Sequence, residues 1–419
     1  MQYEKLTREE DYLQSRADEY VWRRARELGV SRRRFLQTLA AGGAAAALGH
    51  RLSPKAWAQA APTPVIKPTP KELFNDFGSN KEMRWENMYE RGYLVPNELF
   101  FVRNHTRTPV VDVKKWRLKI EGSGVQATKE LTYDEVLSLP SVSVIRYVEC
   151  AGNGRSFFEA AYGKKADGTQ WKLGAIGVAE WTGVPLTEIL DRAGIKKSAR
   201  DVMPEGLDDL KVRRPLSVAK ATEGDTLLVY AMNGQPLPPD HGFPVRLLVP
   251  GWIGVANIKW VGRMEVSEKP LFSNWNTDTY VLIGPDYKAE PPAKGPILSN
   301  QNVKSALELP WGGEVSAERR FVRGRTWSPF GKIAKVEYSL SQGKNWQTAR
   351  LREPNIAAAW VRWDFDWEPK PGKHAIRVRA TDEKGNTQPD EVPFNQQGYL
   401  YNAVVDHPIT VASTIRHDL

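Results

Sequence analysis

Cysteine is almost absent from this sequence of 419 residues, in which Cys150 is the only one. A single cysteine excludes a disulfide within the chain, a four-cysteine zinc site, an iron–sulfur cluster and a CxxCH haem attachment. Three roles remain for it. Cys150 could be a nucleophile, a small core residue, or one soft ligand to a metal whose other ligands come from outside the protein.

Several binding signatures are missing as well. The sequence has no GxGxxG or GxxxxGK[ST] for the standard modes of nucleotide binding, and no HExxH for a zinc centre. The net charge is +9, and residues 1–60 hold 11 Lys+Arg and 7 Asp+Glu, so 11 − 7 = +4 leaves +5 for the rest. This mild basicity suits an anionic substrate or cofactor. Without a basic stripe or a nucleic-acid-binding motif, we expect no nucleic-acid partner.

Long hydrophobic runs are also lacking. The apolar stretch at 38–48 is far shorter than the roughly 20 residues of a membrane-spanning helix, so we expect no membrane span. Before it, residues 31–37 read SRRRFLQ, and Ala-Gln-Ala follows at 58–60. These features predict a twin-arginine signal region over residues 1–60 and export to the periplasm.

The remaining chain divides at two proline-rich stretches. Residues 61–80 predict an extended linker, and a second Pro/Gly-rich boundary lies near residue 290. Between them, residues 81–290 mix strands and irregular loops with a short helix at 185–193, which indicates an α+β domain. Residues 291–419 predict an immunoglobulin-like β-sandwich. Its short strands are expected at 321–327, 333–340, 359–365 and 373–380.

Cys150 ends an apolar run that predicts a buried strand, and a Gly/Asn turn follows at once. Functional groups are often placed at such strand-to-loop junctions. Arg146 and Arg155 lie on either side in the sequence, and cationic neighbours favour the thiolate, the form that binds metals or attacks electrophiles. A buried core cysteine is the plainer alternative.

Polar residues recur in loops that follow the apolar strands. Each alone is typical of a surface charge or a structural hydrogen bond, but together they would form a pocket rich in donors for phosphate and a polar heterocycle. A Cys–His pair of the protease type stays open, because sequence spacing does not give its geometry. The residues are Arg103, Asn104, His105, Arg155, Asp208, His241, Arg246 and Lys259.

The motifs that contain these residues resemble the sulfite oxidase family of molybdenum enzymes over residues 85–405, in the family's order. The segment at 233–246 is the most specific of them, and its Asn233-Gly234 pair predicts a hairpin turn. A turn at 386–390 resembles the family's dimerisation domain. The motifs are FFxRNH at 100–105, CAGN at 150–153, EGLD at 205–208, NGQPLPxDHGFPVR at 233–246 and KWxGR at 259–263.

The resemblance implies a molybdenum–molybdopterin cofactor with Cys150 as the thiolate ligand to the metal. It implies a catalytic, anion-binding pocket over the metal, formed by Arg103, Arg155, Trp171 and Tyr280. It also assigns the pterin and its phosphate to Arg103, Asn104, His105, Asp208, His241, Arg246 and Lys259.

The resemblance further implies oxidation of sulfite to sulfate by oxygen-atom transfer. Electrons would pass to a c-type cytochrome, since no haem domain is encoded, and the chain would form a homodimer or a complex with a haem subunit. Two departures from the family pattern stand out. Gly154 replaces one arginine of a pair, and Gln397 stands where animal members have an arginine of the substrate pocket.

Fewer cations favour a larger or less charged substrate. The alternative function is therefore that of the related sulfane dehydrogenase subunit, which acts on sulfur attached to a carrier protein. A non-catalytic exported binding protein that keeps the fold without the metal is a more remote alternative, as is a cysteine hydrolase.

Overall fold

The computed structural model describes residues 64–89 and 91–412. The signal region predicted for residues 1–60 lies outside them. β strands dominate the described part of the chain, and they form five sheets. None of the helices described there is long and apolar enough to cross a membrane.

The segment predicted as a linker packs onto the main domain. Val65 and Phe74 are buried, and the N–H groups of Ile66 and Lys67 donate to the Asp240 carboxylate at 3.0 and 2.7 Å. The linker expected over 61–80 is therefore wrong for its described part, because apolar side chains and backbone donors there have partners on the domain. Its strand β1 (Phe74–Phe77) belongs to a small antiparallel sheet. The other two strands of that sheet are β2 (Asn80–Met83) and β3 (Val102–Arg103).

The strand that leads to Cys150 lies at one edge of an antiparallel sheet. Its pairing with the next strand runs without interruption from Val142 to Glu149, and its last three residues are buried. The hairpin predicted at Asn233-Gly234 is confirmed, with φ of 51° and 69° at these residues. The strands, in the order β11-β10-β7-β6 with β12 also on β10, are β6 (Val142–Glu149), β7 (Ile176–Pro185), β10 (Leu227–Met232), β11 (Gln235–Pro236) and β12 (Arg246–Leu248).

A second sheet completes the main domain. Its central strand is parallel to one neighbour and antiparallel to the other. The Trp116 indole N–H donates to the Val261 carbonyl at 3.0 Å and ties the sheet to the preceding loop. The strands, in the order β5-β4-β13-β8-β9, are β4 (Arg117–Glu121), β5 (Lys129–Thr132), β8 (Asp201–Gly206), β9 (Leu216–Ser217) and β13 (Val261–Ser267).

Helices are short in the described residues. The helix predicted at 185–193 is confirmed, and a capping box of Thr132 and Glu135 begins the first one. The α-helices are α1 (Tyr133–Ser138), α2 (Phe157–Tyr162), α3 (Leu186–Arg192), α4 (Val218–Ala221) and α5 (Asn274–Thr277), and 3-10 turns lie at Trp85–Met88, Pro239–His241 and Gly254–Ala256.

The C-terminal residues form the predicted β-sandwich, and its four expected strands are present within two residues of their predicted ends. Alternating side chains of Val322, Val336, Val361 and Ile376 are fully buried between the sheets. One sheet holds β14 (Lys304–Leu307), β16 (Phe321–Trp327), β20 (Trp360–Asp366) and β19 (Arg350–Arg352), and the other β15 (Glu314–Val315), β22 (Asp406–Val411), β21 (Gly372–Asp382), β17 (Ile333–Ser339) and β18 (Gln347–Thr348).

One apolar core is shared by the two domains. Trp327 and Trp360 of the sandwich pack against Trp85, with ring centroids 6.1 and 5.9 Å apart. The same cluster contains Tyr147 and Cys150. The end of β6 therefore lies against the sandwich, and the two domains are joined by packing as well as by the chain.

A buried histidine makes the sandwich sensitive to acid. The His407 Nε2–H donates to the Pro310 carbonyl at 3.2 Å, its ring packs on Trp311, and burial lowers its pKa to about 4. An unfolded histidine titrates near pH 6.5, so the unfolded chain binds more protons between pH 6.5 and 4, and stability falls as pH decreases through this window. We expect His407→Gln to reduce this loss of unfolding free energy by about 2–3 kcal/mol. The glutamine amide can still donate to the Pro310 carbonyl.

Urea unfolding of both proteins at pH 7 and pH 4.5 measures the difference. His105 and His241 are present in both proteins, so the comparison isolates His407. Equal losses in the two proteins would contradict the prediction.

Candidate active site

A pocket opens at the C-terminal end of β6. It holds about 700 Å³ of space, including the part open to solvent, and one wall is apolar, with Phe100, Phe101 and Ile258. The structure brings most of the residues predicted from sequence to this pocket. They are Arg103, Asn104, His105, Cys150, Asp208, His241, Arg246, Lys259 and Tyr280.

Cys150 is held by its backbone at the base of the pocket. Its N–H donates to the Ala175 carbonyl and its own carbonyl accepts from the Asn153 N–H, both at 2.9 Å, and its side chain is buried. The expectation that Arg146 lies beside the thiol is wrong. Arg146 forms an ion pair with Asp225 at 2.8 Å, and four residues of extended strand, about 13 Å, separate it from Cys150 along β6.

Arg103 supplies the cation beside the thiol. Its guanidinium lies 3.4 Å from the Tyr280 hydroxyl and donates to the Asn104 carbonyl at 2.7 Å, and it lines the same pocket as Cys150. Burial opposes its charge, but Tyr280 and Cys150 together raise the pKa of Arg103 above its ordinary value. A permanent cation therefore stands between the thiol and the tyrosine, where an anion can bind.

Tyr280 is fixed from several sides. Its hydroxyl lies 3.0 Å from His105 Nε2, its ring stacks on Tyr399 at 5.0 Å, and it adopts a positive φ of 56°, which is uncommon for a bulky residue. Burial, with the charges of Arg103 and Lys259, holds the pKa of His105 well below its usual value. His105 is therefore neutral near pH 7 and can form a hydrogen bond with the tyrosine hydroxyl.

The opposite end of the pocket is cationic. Lys259 donates to the Asp240 carbonyl at 2.8 Å and to the Asn104 side chain. Arg246 donates to the carbonyls of His241 and Asn257 at 3.1 and 3.3 Å, but its Nε is buried without a partner.

Burying these cations costs free energy of folding when no anion is bound. Burial lowers the pKa of Arg246 to about 9. Burial and the charge of Arg246 hold the pKa of Lys259 well below its usual value, and burial with the charges of Lys67 and Lys259 does the same for His241. A bound anion would reverse these shifts, because opposite charge favours the protonated forms. A phosphate group fits the donor set and offers an acceptor to the orphaned Arg246 Nε.

Asp208 closes the pocket at the end of β8. Its carboxylate accepts from the Val212 N–H at 2.9 Å, which shapes the turn, and burial raises its pKa. It can accept a hydrogen bond from a polar heterocycle, as the sequence analysis expects.

Arg155 and Trp171 do not line the pocket. Arg155 donates to the carbonyls of Gln397 and Thr169, both at 2.8 Å, and lies over the Tyr399 ring. Trp171 is fully buried and packs edge-on against Phe77 at 5.6 Å. Arg155 thus supports the wall behind Tyr280 and Tyr399, and it is near enough for its charge to oppose the rise that burial causes in the pKa of Tyr280. Trp171 belongs instead to the core that the two domains share.

Several residues of the site were not predicted from the sequence. Asn257 and Asp240 tie together the loops that carry the cations, and Asp240 stands inside the recognised 233–246 motif, which could have indicated it. Arg214 is buried behind Tyr280, and its guanidinium carbon lies 5.9 Å from the centroid of the tyrosine ring. It donates to the carbonyls of Trp275 and Leu298. Nothing in its sequence context separates it from an ordinary surface arginine.

Comparison with known proteins identifies both domains. A profile described as the oxidoreductase molybdopterin binding domain matches residues 105–275, and one described as the Mo-co oxidoreductase dimerisation domain matches residues 296–412. Together they define a molybdopterin-binding oxidoreductase whose sandwich is of the dimerisation type.

Relatives agree with these profiles. The chain is 34% identical to mitochondrial sulfite oxidase of Homo sapiens over 74% of this chain and 60% of that protein. It is 35% identical to sulfite oxidase of Gallus gallus over 77% of this chain and 74% of that protein. The NADH nitrate reductase of Ulva prolifera is 32% identical, over 81% of this chain and 42% of that protein.

A solved structure shares the fold. The sulfane dehydrogenase SoxCD from Paracoccus pantotrophus matches with a TM-score of 0.69 and 26% identity, covering 81% of this chain and 87% of that chain. The chain belongs to the sulfite oxidase family, and its cofactor is molybdopterin. It spans 60% of the length of the human protein.

Proposed function

We propose that this chain oxidises sulfite to sulfate, with Cys150 as the protein ligand to molybdenum. The observation that carries the proposal is a single pocket with a buried thiol and an arginine at one end and, at the other, two buried cations, Lys259 and Arg246, of which Arg246 has an Nε without a partner. The balance is SO₃²⁻ + H₂O → SO₄²⁻ + 2 H⁺ + 2 e⁻. Molybdopterin, when bound, supplies the two-electron oxygen-atom transfer, and a c-type cytochrome takes the electrons one at a time.

The residues at the cationic end hold the cofactor. Arg246 and Lys259 bind its phosphate, and burial makes each charge-assisted hydrogen bond stronger than it would be in water. Asn104, Asp208 and His241 offer donors and acceptors to the pterin ring.

The residues at the thiol end receive the substrate. Arg103 attracts the dianion and orients it, and the Tyr280 hydroxyl donates a hydrogen bond to it. Neutral His105 donates its Nε2–H to the oxygen of that hydroxyl, which leaves the O–H directed at the substrate. Arg155 contributes through its charge from behind Tyr399, and Trp171 contributes to the packing of the shared core.

Sulfite-dependent reduction of cytochrome c by the purified, molybdenum-loaded protein tests the proposal. We expect turnover that depends on both sulfite and molybdenum, with sulfate as the product. A loaded protein that reduces no acceptor with sulfite would reject free sulfite as its substrate.

Removal of the Tyr280 hydroxyl tests the substrate end separately. We expect Tyr280→Phe to raise KM for sulfite about tenfold, since one hydrogen bond to a charged group is lost, with a smaller effect on kcat. Tyr401→Phe is the matched control, because Tyr401 is buried but does not line the pocket. Steady-state kinetics of both variants would contradict the prediction if the two KM values rose equally.

Sulfur attached to a carrier protein is the second candidate substrate. Two features favour it: Gly154 and Gln397 stand where the family resemblance places arginines, and a sulfane dehydrogenase shares the fold. Gln397 donates to the Asp278 carbonyl at 2.9 Å, so its side chain is engaged beside the wall. A peptide carrying a cysteine persulfide, oxidised faster than sulfite, would support this candidate.

We propose periplasmic export by the twin-arginine pathway, on the SRRRFLQ sequence at 31–37. Cell fractionation of the full chain and of an Arg32→Lys, Arg33→Lys variant tests it, with retention of the variant in the cytoplasm as the expected result.

We also propose a homodimer through the sandwich, or a complex with a haem subunit, which light scattering of the purified protein distinguishes.

A further inference from the structure

We propose that Lys304, on the first strand of the β-sandwich, is a positioning residue for Cys150. It fixes the turn that carries the thiol through a buried network with Glu149 and Asn153. The inference rests on the proposed role of Cys150 as metal ligand. It gives the sandwich a part in building the site within a single chain.

The network begins at the residue before the cysteine. Glu149 is fully buried (0% exposed), and its carboxylate accepts from Lys304 Nζ at 2.7 Å, Asn153 Nδ2 at 2.9 Å and Trp327 Nε1 at 3.0 Å. Two of these three donors belong to the sandwich strands β14 and β16. The carboxylate therefore cannot move without breaking bonds to the other domain.

The same lysine also holds the far end of the turn. Its ammonium donates to the Asn153 carbonyl at 3.1 Å, while the Asn153 side-chain oxygen accepts from the Ala175 N–H at 3.0 Å. The Asn153 N–H closes the turn on the Cys150 carbonyl. Lys304 thus joins the residue before the cysteine to the residue that ends its turn.

Gln301 adds a third link, just before β14. Its Nε2 donates to the Glu149 carbonyl at 2.7 Å, at the peptide bond that leads into Cys150. The polar bonds from this stretch of the sandwich converge on the few backbone groups around the thiol. Buried ion pairs contribute little net stability, but they are directional and tolerate few arrangements. This network is therefore suited to setting the orientation of a side chain.

The sandwich contains a matched control. Arg325 forms an equally buried ion pair with Glu308 at 2.6 Å, one strand away from Lys304. Its other hydrogen bonds go to the carbonyls of Tyr93 and Gly92, at 2.8 and 3.0 Å, which are remote in sequence from the cysteine turn. Arg325→Met therefore removes a buried cation of the same domain without touching the turn.

The experiment compares Lys304→Met, the double variant Glu149→Gln with Lys304→Met, and Arg325→Met. In the full-length, molybdenum-loaded protein, we measure the melting temperature and the absorption band from charge transfer between thiolate sulfur and molybdenum. This band depends on orbital overlap and so on how the cysteine is oriented. In the full chain without cofactor, we measure the alkylation rate of Cys150 by iodoacetamide at fixed pH.

We expect Lys304→Met to lower the melting temperature, to change the band and to speed alkylation about fivefold, because a loosened turn exposes the buried thiol more often. The double variant removes the unpaired charge and should recover the melting temperature. Its band and alkylation rate should stay altered, since the bond to the Asn153 carbonyl is still missing. Arg325→Met should lower the melting temperature alone.

Two results would overturn the inference: a double variant with the band and alkylation rate of the wild type, or an Arg325→Met variant altered as much as Lys304→Met. Failure of the proposed function is distinct from both. If the charge-transfer band of the molybdenum-loaded protein persisted in the Cys150→Ser variant, Cys150 would not be the ligand. The alkylation rates of the cofactor-free proteins would still decide the role of Lys304.

Discussion

Cys150→Ser is expected to lower the rate of sulfite oxidation by roughly a thousandfold while the chain stays folded. A serine hydroxyl stays protonated near neutral pH and is a hard ligand, so it does not replace the soft thiolate on molybdenum. Residues that only orient a metal ligand cost about 10–100-fold when they are removed, and loss of the ligand itself should cost more. Serine is nearly isosteric with cysteine, so the packing at the end of β6 is expected to persist.

Steady-state cytochrome c reduction measures the loss, together with molybdenum content and melting temperature. The melting temperature should stay close to that of the wild type. A serine variant that kept more than a tenth of the activity with molybdenum bound would show that the thiol is not needed. Cys150 would then be a core residue of the shared cluster.

Arg246→Met is the second variant with a large expected effect, and it acts on the cofactor. We expect the purified variant to retain little molybdopterin, with affinity reduced about 30- to 1000-fold, as loss of a buried charge-assisted bond of 2–4 kcal/mol implies. The cofactor-free chain should be at least as stable as the wild type. Burial lowers the pKa of Arg246 to about 9 and its Nε has no partner, so its charge opposes folding until an anion binds.

Arg214→Met is the control for this prediction. Arg214 is also buried, with its pKa lowered to about 10 by burial and its Nε without a partner, and its guanidinium donates to the carbonyls of Trp275 and Leu298, but it does not line the pocket. We expect this variant to keep its cofactor, with a change in stability similar to that of Arg246→Met. Molybdenum analysis and urea unfolding of the cofactor-free proteins decide the matter. A wild-type cofactor content in Arg246→Met would place the phosphate elsewhere.

Local pattern was enough to predict much of the fold. The strands of the sandwich follow from alternating burial over a few residues, and the Asn233-Gly234 turn follows from the positive φ that these two residues tolerate. The strand before Cys150 follows from its apolar run. Each of these features depends on contacts between residues close in the chain, or on the character of a single face.

Long-range contacts decided the rest. Arg146 lies four residues before Cys150 on the same strand, yet it pairs with Asp225, because the extended backbone places it about 13 Å from the thiol. Residues 64–80 look like a linker by composition, but they pack because Asp240 offers acceptors to their backbone. Lys304 follows Cys150 by more than 150 residues, and only the folded chain brings its ammonium to the cysteine turn.

The sequence by itself determined the single thiol, the family motifs and therefore the cofactor, because chemistry of this kind needs particular residue types that sequence displays directly. Only the tertiary structure decided which cations face the pocket and which lie behind its wall, as Arg155 does. It also decided that the sandwich holds the cysteine turn. The physical reason is that burial and charge pairing depend on distances in space, which spacing along the chain does not encode.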